Sequence, residues 1–395
     1  MAWNKVDIME QRKEFVLKAE QKIVSFSELC RMYGISRPTG YIWLSRWREG
    51  GIDGLLNRSR APLNHGRRVS EEIYEMIIMI KLKYYTWGPR KIKAWLDWHY
   101  PEENWPAAST IGNILDCHGL VRKKRKRSRV PLTHPLEECQ DANDTWCADY
   151  KGALYTHDGH RVDPLTISDA HTRYLFQCTR LKRNNFDYTW PVIAVTFREF
   201  GLPKRMRFDN GPPFATIGVG RLAHLSINLI KAGVIPEWIE PGHPEQNGRH
   251  ERTHGTLEYN LSFQEQPKHL RAMDRYLTEF REEFNFERPH EALGQIVPGD
   301  VYEPSPRQWN GRLQSPEYPK DFEVRQVRDG GSISWQMVNI YIGKNLIGEP
   351  VGLEEIADDI WAVSYGPVEL GFIDYKKGFH RPSSKWNRKK LTENS

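Results

Sequence analysis

The sequence predicts a multidomain chain in three parts: an all-α N-terminal region, an α/β middle and a small all-β C-terminal barrel. Three observations predict it. Apolar residues recur at helical spacing up to about residue 120. From Thr145 short apolar strands alternate with amphipathic helices. Beyond a Pro-rich break near Pro298 to Pro306, short strands are separated by Gly- and Asp-containing turns. With 395 residues and ~100–200 residues per domain, the chain has room for two to four domains.

In the first segment, Ser27 to Tyr33 read as a short helix with Phe26, Leu29, Cys30 and Tyr33 at helical spacing. Gly34 breaks it and Ile35 points inward. Ser36 is placed to cap a second helix, and Pro38 falls in its first turn, where a missing N–H costs nothing. Ile42, Trp43 and Trp47 form that helix's apolar face. Helix, glycine turn, capped helix is the helix-turn-helix pattern, in which the start of the second helix enters the major groove. Arg37, Thr39 and Tyr41 are then candidate DNA contacts, with Arg46 reaching a phosphate. A helical hairpin in an ordinary bundle is the alternative. Charge favours DNA: residues 1–130 hold 25 Lys/Arg against 14 Asp/Glu, a net of +11, while the remainder nets −5, and a basic front end is the footprint of nucleic-acid binding.

The helix-turn-helix domain is assigned to 1–56 and a turn-rich linker to 57–68. Helices are expected at Val69 to Tyr85, with Ile73, Ile77, Ile80 and Leu82 apolar, at Pro89–His99, and at Ala107–His118, closed by Gly119. They form a second helix-turn-helix-like DNA-binding domain over 69–120, with Lys91, Lys93, Ser109, Thr110 and Asn113 on its polar faces. A basic linker follows over 121–140. Seven of the nine residues in VRKKRKRSR are Lys or Arg, so Arg122, Lys123, Lys124, Arg125, Lys126 and Arg127 are candidate phosphate contacts. A nuclear localisation signal is the competing reading of the same run.

Several classes are disfavoured. No run of 18 or more apolar residues exists, and MAWNKVDIMEQRKE contains no apolar leader, so neither a transmembrane span nor a signal peptide is expected. Cys30, Cys117, Cys139, Cys147 and Cys178 are scattered and never spaced as CxxC. This argues against a disulfide framework or a Cys-pair zinc site and for a reducing cytoplasm. No GxxxxGK[ST] occurs, which disfavours a kinase or nucleotide hydrolase.

A core is assigned to 141–310. Strands are expected at Thr145 to Leu154, Val162 to Ser168 and Tyr174 to Leu181, then a helix at Phe186 to Phe200 and a strand at Pro203 to Phe208. A helix at Leu222 to Ala232, a strand at Val234 to Ile239 and helices at Gln246 to Leu261 and Leu270 to Phe286 complete it. The order gives three antiparallel strands continued by parallel ones. Strands at Phe322–Val327, Ser332–Ile340, Val351–Glu355, Ile360–Ser364 and Val368–Asp374 form the barrel over 311–380, ahead of a basic tail over 381–395.

Three carboxylates in this core stand out. Asp149 interrupts an apolar strand, where a buried charge needs a partner such as a divalent cation. Asp209 ends a strand at FDNGPPF, at the sheet edge where ligands bind. Glu251 begins a long helix after HPEQNGRH. Two Asp on neighbouring strands and a Glu on a crossing helix supply hard oxygen donors for two divalent cations, the arrangement that serves both oxygens in phosphoryl transfer. Singly, each has a plainer reading as a turn residue or a solvated Glu. Asp169 in SDAHT, Glu245 and Glu258 are rivals, and Asp169 reads as a turn residue. Gln246, Asn247 and Arg249 lie on the loop entering the Glu251 helix, whose N-terminus favours phosphate. They are candidate DNA contacts, with loop hydrogen bonding as the alternative.

The succession ADYKG, FDNGPPFA, GHPEQNGRHERTHGTLE and NFERPHEALGQIVPGDVY resembles the core of bacterial insertion-sequence DDE transposases, which is retroviral-integrase-like. The resemblance covers roughly residues 20–310. It implies an RNase H-like fold, with Asp149, Asp209 and Glu251 as catalytic residues and metal ligands, Asp149 bridging two Mg²⁺ ions, and Mn²⁺ as a substitute. It implies DNA ends as substrate, water attack that exposes a 3′-OH, and attack of that 3′-OH on target DNA. Handling two ends implies a homo-oligomer, at least a dimer, on element and target DNA, in the bacterial cytoplasm at the nucleoid, with no membrane. The barrel is similar in position and size to the small SH3-like barrels that follow such cores. Two departures stand out. Forty-one residues separate Asp209 from Glu251, more than is common in such cores, the surplus falling near ATIGVGRL. Glu258 occupies a position where many relatives carry Lys or Arg; His254 or Arg252 is expected to compensate, the alternative being an impaired copy. A non-catalytic DNA-binding regulator and a metal-dependent nuclease without strand joining are the competing functions.

Overall fold

A computed structural model describes residues 8–57, 69–121, 136, 139–375, 378–383 and 386–393. Arg122, Lys123, Lys124, Arg125, Lys126 and Arg127 lie outside the described residues. The chain divides into two compact units, Met1–Arg68 and Val69–Ser395. Among the described residues no helix is long and apolar enough to cross a membrane.

The first unit packs α1 (Ile8–Gln21), α2 (Phe26–Met32) and α3 (Arg37–Gly54) around Phe15, Val16, Leu29, Cys30 and Leu55. Ser36 caps α3, its hydroxyl accepting from Thr39 N at 3.3 Å. Gly40 lets α3 approach its neighbours, since a Cβ there would lie 2.8 Å from Cys30 Sγ. Ile42, expected on the apolar face, is 51% exposed, whereas Trp43 and Trp47 are half-buried. Leu44 takes the inward place instead, because α3 turns Gly40 and Leu44, one turn apart, toward α1 and α2.

The second unit begins with α4 (Glu71–Lys83), α5 (Pro89–His99) and α6 (Ala108–Cys117), packed around Ile77, Trp87, Ile92, Leu96, Ile111 and Leu115. Next come β1 (Thr145–Tyr150), a small hairpin of β2 (Leu154–Tyr155) and β3 (Arg161–Val162), β4 (Pro164–Asp169) and β5 (Leu175–Arg180). Then follow α7 (Phe186–Phe200), β6 (Arg205–Phe208), α8 (His224–Lys231), β7 (Ile235–Trp238), α9 (Gly248–Leu261) and α10 (Leu270–Glu282). The central sheet runs β5-β4-β1-β6-β7, antiparallel between β5, β4 and β1 and parallel between β1, β6 and β7, as the pattern predicts. Trp146, Phe176, Phe197, Phe208 and Phe214 fill its core.

The helical segment is anchored on the helical turn that follows α10, Glu283–Glu287. Tyr84 Oη and Trp95 Nε1 donate to Glu287 at 3.1 and 3.0 Å, and Trp87 Nε1 donates to Glu283 at 3.1 Å. Indole and phenol donors aimed at one pair of carboxylates fix direction as well as contact, since charge-assisted bonds are the stronger ones.

A short helix α11 (Pro298–Val301) leads into the C-terminal strands β8 (Glu323–Gln326), β9 (Ser332–Trp335), β10 (Val338–Tyr341), β11 (Pro350–Ala357), β12 (Ile360–Tyr365), β13 (Val368–Asp374) and β14 (Gly378–His380), and α12 (Arg388–Glu393) closes the chain. The expected SH3-like barrel is not formed. Among the described residues the sheet is open, ordered β14-β13-β12-β11-β8, with β9 and β10 as a separate pair. After β8, Gly330 and Gly331 (φ 89 and 82) turn the chain into this pair rather than on to a closing strand. The stretch expected as one strand, Ser332–Ile340, folds back at Gln336 and Met337 (φ 43 and 64), two left-handed residues of the kind a tight hairpin requires. Sheet and pair still share one core of Val327, Ile333, Ile342, Leu353 and Leu370.

Candidate functional site

β1 and β6 run side by side in parallel, with Cys147 opposite Arg207. Asp149 is the penultimate residue of β1 and Asp209 directly follows β6, so both stand at the carboxyl ends of neighbouring strands. Across the antiparallel pair, Asp149 faces Thr166 of β4. Thr166 is also where α9 is fastened to the sheet. Its hydroxyl lies 2.7 Å from Nε2 of both His250 and His254 and 3.1 Å from the carbonyl of Asp149, while Ser168 Oγ lies 2.8 Å from His250 Nδ1. One hydroxyl has one proton and two lone pairs. Donating to the Asp149 carbonyl, it accepts from both imidazoles, which assigns their protons to Nε2. Both rings are neutral: burial and the neighbouring His254 hold His250 well below the usual histidine range, and burial with the Lys151 charge pushes His254 down to about 4. Glu251 follows His250 in the first turn of α9, so this network positions its backbone.

Asp149 senses both other carboxylates. The pKa of Asp149 is pushed up to about 7, first by burial and then by the charge of Asp209; the N–H of Tyr150 opposes the rise, and Glu251 adds to it. Asp149 Oδ1 accepts from Tyr150 N at 2.7 Å, and Asp209 Oδ1 from Gly211 N at 3.1 Å. His254 Nδ1 lies 4.0 Å from Asp149 Oδ2, beyond hydrogen-bond reach, and turns a lone pair toward the carboxylate, so the contact is no ion pair. Among the described residues no group of three His, Cys, Asp or Glu is already gathered to hold a metal ion. The donor chemistry nevertheless fits a hard divalent cation: three carboxylates and no cation among the groups that shift Asp149.

Asp169 is consumed by its turn, accepting from Asn143 N, His171 N, Thr172 N and Thr172 Oγ1. Glu258 meets Lys151 Nζ at 3.3 Å. Lys151, two residues beyond Asp149, thus balances the Glu258 charge, whereas His254, one of the two cations expected to compensate, is neutral and spent on Thr166.

The candidate DNA contacts are placed unevenly. Arg37 and Tyr41 are exposed on α3, the Tyr41 ring stacked on Phe26 at 4.2 Å. Thr39 Oγ1 is hydrogen-bonded to Ser36 at 2.8 Å, and Arg46 lies over Trp43 at 5.0 Å. On α6, Ser109 and Asn113 are exposed one turn apart, and Thr110 is half-buried. Lys93 pairs with Asp97 at 2.5 Å. Lys91 is turned toward the anchor beyond α10 instead of outward: burial and Arg288 push its amine down to about 7, against the opposing charges of Glu291 and Glu283. Gln246 and Asn247 are buried rather than presented, because the loop folds under α9. Gln246 Oε1 accepts from Glu240 N at 2.7 Å. Arg249 is exposed and donates to the Ala170 carbonyl at 3.2 Å.

Three families match along the chain: a helix-turn-helix domain over residues 11–62, a homeodomain-like domain over 39–115 and an integrase core domain over 232–298. Asp149 and Asp209 precede the last of these, and Glu251 lies within it. Two relatives are uncharacterized proteins of insertion elements. The 31.7 kDa protein of IS407 from Burkholderia multivorans is 27% identical over 184 residues, 46% of this chain and 63% of the relative. The 39.2 kDa protein of IS476 from Xanthomonas euvesicatoria is 28% identical over 181 residues, 45% of this chain and 50% of the relative. The matched stretch thus spans less than two thirds of either relative's length. Among solved structures, the HTLV-2 integrase catalytic core domain in complex with magnesium aligns with 42% of this chain and 100% of that one, at 14% identity and TM-score 0.33. The simian T-cell lymphotropic virus intasome in complex with PP2A regulatory subunit B56 gamma aligns with 78% of this chain and 99% of that one, at 14% identity and TM-score 0.37. With helix-turn-helix matches ahead of an integrase core match, and relatives carried by insertion elements, the chain is similar to bacterial insertion-sequence transposases with an N-terminal helix-turn-helix and an integrase-like core.

Proposed function

We propose that the protein is a DNA transposase that binds the ends of its element, cleaves there by metal-dependent hydrolysis to expose a 3′-OH, and joins that 3′-OH to target DNA. The observation that carries the reading is that Asp149, near the end of β1, is influenced by the charges of Asp209, just after β6, and Glu251, at the start of α9. Asp149, Asp209 and Glu251 would hold two Mg²⁺ ions, or Mn²⁺ in their place. When bound, such ions supply Lewis acidity to the attacking and leaving oxygens of the phosphodiester. The chain's own part is to hold the carboxylates in place, to keep His250 and His254 neutral so that no imidazolium competes for the site, and to balance Glu258 with Lys151. In both steps an oxygen nucleophile, first water and then the 3′-OH, forms a new P–O bond as the old one breaks, so no covalent protein intermediate is required.

DNA would be gripped through 1–56 and 69–120, with 141–310 as the catalytic core and two copies or more acting on paired ends in the bacterial cytoplasm. Arg37→Ala is expected to weaken binding to element ends by roughly tenfold, within the ~1–3 kcal/mol of one base contact, and to leave random DNA unaffected. Competitive titration of the two DNAs reads this; equal losses would remove Arg37 from base recognition.

The test of function is to incubate the protein with DNA carrying the sequences that flank its own gene, in Mg²⁺ or Mn²⁺, beside Glu251→Gln. Joined products from the wild type alone are the expected result. Cut but unjoined DNA would make it a nuclease, and binding without cleavage a regulator.

A further inference from the structure

The surplus between Asp209 and Glu251 has a place. Residues 215–222 leave the Asp209 turn and enter the core of the C-terminal sheet. Val219 and Leu222 are buried there with Val327 and Leu370, and Asn345 Nδ2 donates to the Leu222 carbonyl at 2.9 Å. Gly220 (φ 62) passes so near the sheet that a Cβ would stand 2.7 Å from Leu370. Arg221 follows with φ 55, a left-handed conformation uncommon for a residue with a side chain. It donates to Asn210 Oδ1 at 3.0 Å, directly beside Asp209. At the tip of the loop Ile217 is 97% exposed.

A cleft of about 1000 Å³ runs between this loop, the Asp209 turn and the sheet. Trp238 and Val368 contribute apolar wall, Asn210 stands at the end nearest Asp209, and Arg221 and Arg381 line it with positive charge. Arg381 donates to the Ile217 carbonyl at 3.4 Å. Among the described residues neither guanidinium is ion-paired, while the cleft's carboxylate, Glu369, is held by Arg388 at 3.3 Å.

We propose that this cleft is a nucleotide subsite: it takes a base and its phosphates, unpaired from the duplex, beside the phosphodiester presented to Asp209, with Ile217 as the wedge that opens the pair. The proposal rests on the reading that the three carboxylates act on DNA. Its volume lies at the upper end of the ~300–1,000 Å³ usual for sites of small ligands. Apolar and aromatic walls accept the face of any base. Two planar guanidiniums suit phosphate oxygens. A fully exposed isoleucine next to such a cleft is the kind of apolar side chain that inserts between base steps.

The test uses the full chain in EDTA, where no cleavage interferes. The probes are a duplex from the gene's flanking sequence with a short unpaired 3′ extension, the same duplex blunt, and a blunt duplex with 2-aminopurine in the terminal pair. Wild type should prefer the extended duplex. The double variant Arg221→Ala, Arg381→Ala should lose roughly tenfold of that preference, within the ~1–3 kcal/mol per base of such contacts. Wild type should change the 2-aminopurine emission on binding, by unstacking the base from the duplex or by quenching it against Trp238, and Ile217→Ala should leave it as in free DNA; mismatching the terminal pair should restore the wild-type emission with Ile217→Ala. Because Ile217 is fully exposed, its loss leaves the fold intact. An unchanged preference in the double variant, or no change in emission with wild type, overturns the subsite. Joining in Mg²⁺ with no such preference would sink the cleft alone. A preference without cleavage or joining would sink the catalytic reading and leave the cleft standing.

Discussion

Asp149→Asn is expected to abolish cleavage and joining while making the metal-free protein more stable above neutral pH. The catalytic loss should be at least about a thousandfold, or ~4 kcal/mol of barrier, because an amide gives a cation a poorer donor than a carboxylate at a position that both other acids influence. The gain in stability has the same origin. Burial and the charges of Asp209 and Glu251 raise the folded-state pKa of Asp149 from 3.8 to about 7, so the folded chain holds this proton more tightly than the unfolded one. The resulting stabilisation is complete below about pH 4 and is lost as pH rises through about 7, a change of about 2–4 kcal/mol. Asparagine has no proton to lose. In EDTA the wild-type Tm should therefore fall between pH 5 and pH 8 more steeply than that of the variant, with the variant the more stable at pH 8. Mg²⁺ should raise the wild-type Tm and leave the variant's nearly unchanged. Parallel pH profiles would mean that the three acids do not share a site.

Thr166→Val should be nearly as damaging from a position that contributes no charge. The substitution keeps the shape and removes a hydroxyl that serves two buried imidazoles and the Asp149 carbonyl at once. Both Nε2 protons are then left without an acceptor in the interior. At ~1–3 kcal/mol for each buried group left unpaired, denaturant unfolding should register a loss of roughly 2–4 kcal/mol. Joining should fall more than binding, since the start of α9 carries Glu251. Thr166→Ser retains the hydroxyl and should recover most of both. A serine variant as impaired as valine would show that the methyl, and not the network, matters there.

Much of this was legible in the residues. The succession of short apolar strands and amphipathic helices predicted the central sheet, and Asp149 and Asp209 stood out because each interrupts or ends an apolar strand. The fastening of α9 was not read, although its signal was present. His250 and His254 are four apart, on one face of a helix, and Thr166 and Ser168 are two apart, on one face of a strand. Matching those periodicities requires knowing that the helix crosses that strand, which is tertiary information. Lys151 was overlooked for the same reason: its partner Glu258 is distant in sequence. Lys91 and Gln246 are polar residues on expected surfaces that tertiary packing covers, Lys91 half-buried near Glu283 and Arg288 beyond α10 and Gln246 buried by the loop under α9. The barrel was anticipated from strand count alone, and strand count does not say whether the last strand meets the first.

The hydrogen bonds from Tyr84, Trp87 and Trp95 to Glu283 and Glu287 tie the second helical segment into the same compact unit as the carboxylates. If the chain acts as proposed, a nucleic acid gripped at Ser109 and Asn113 would stand at an offset from Asp149 set by the seating of these two indoles and one phenol, and the fold would serve as a ruler for where a strand is cut relative to where it is gripped.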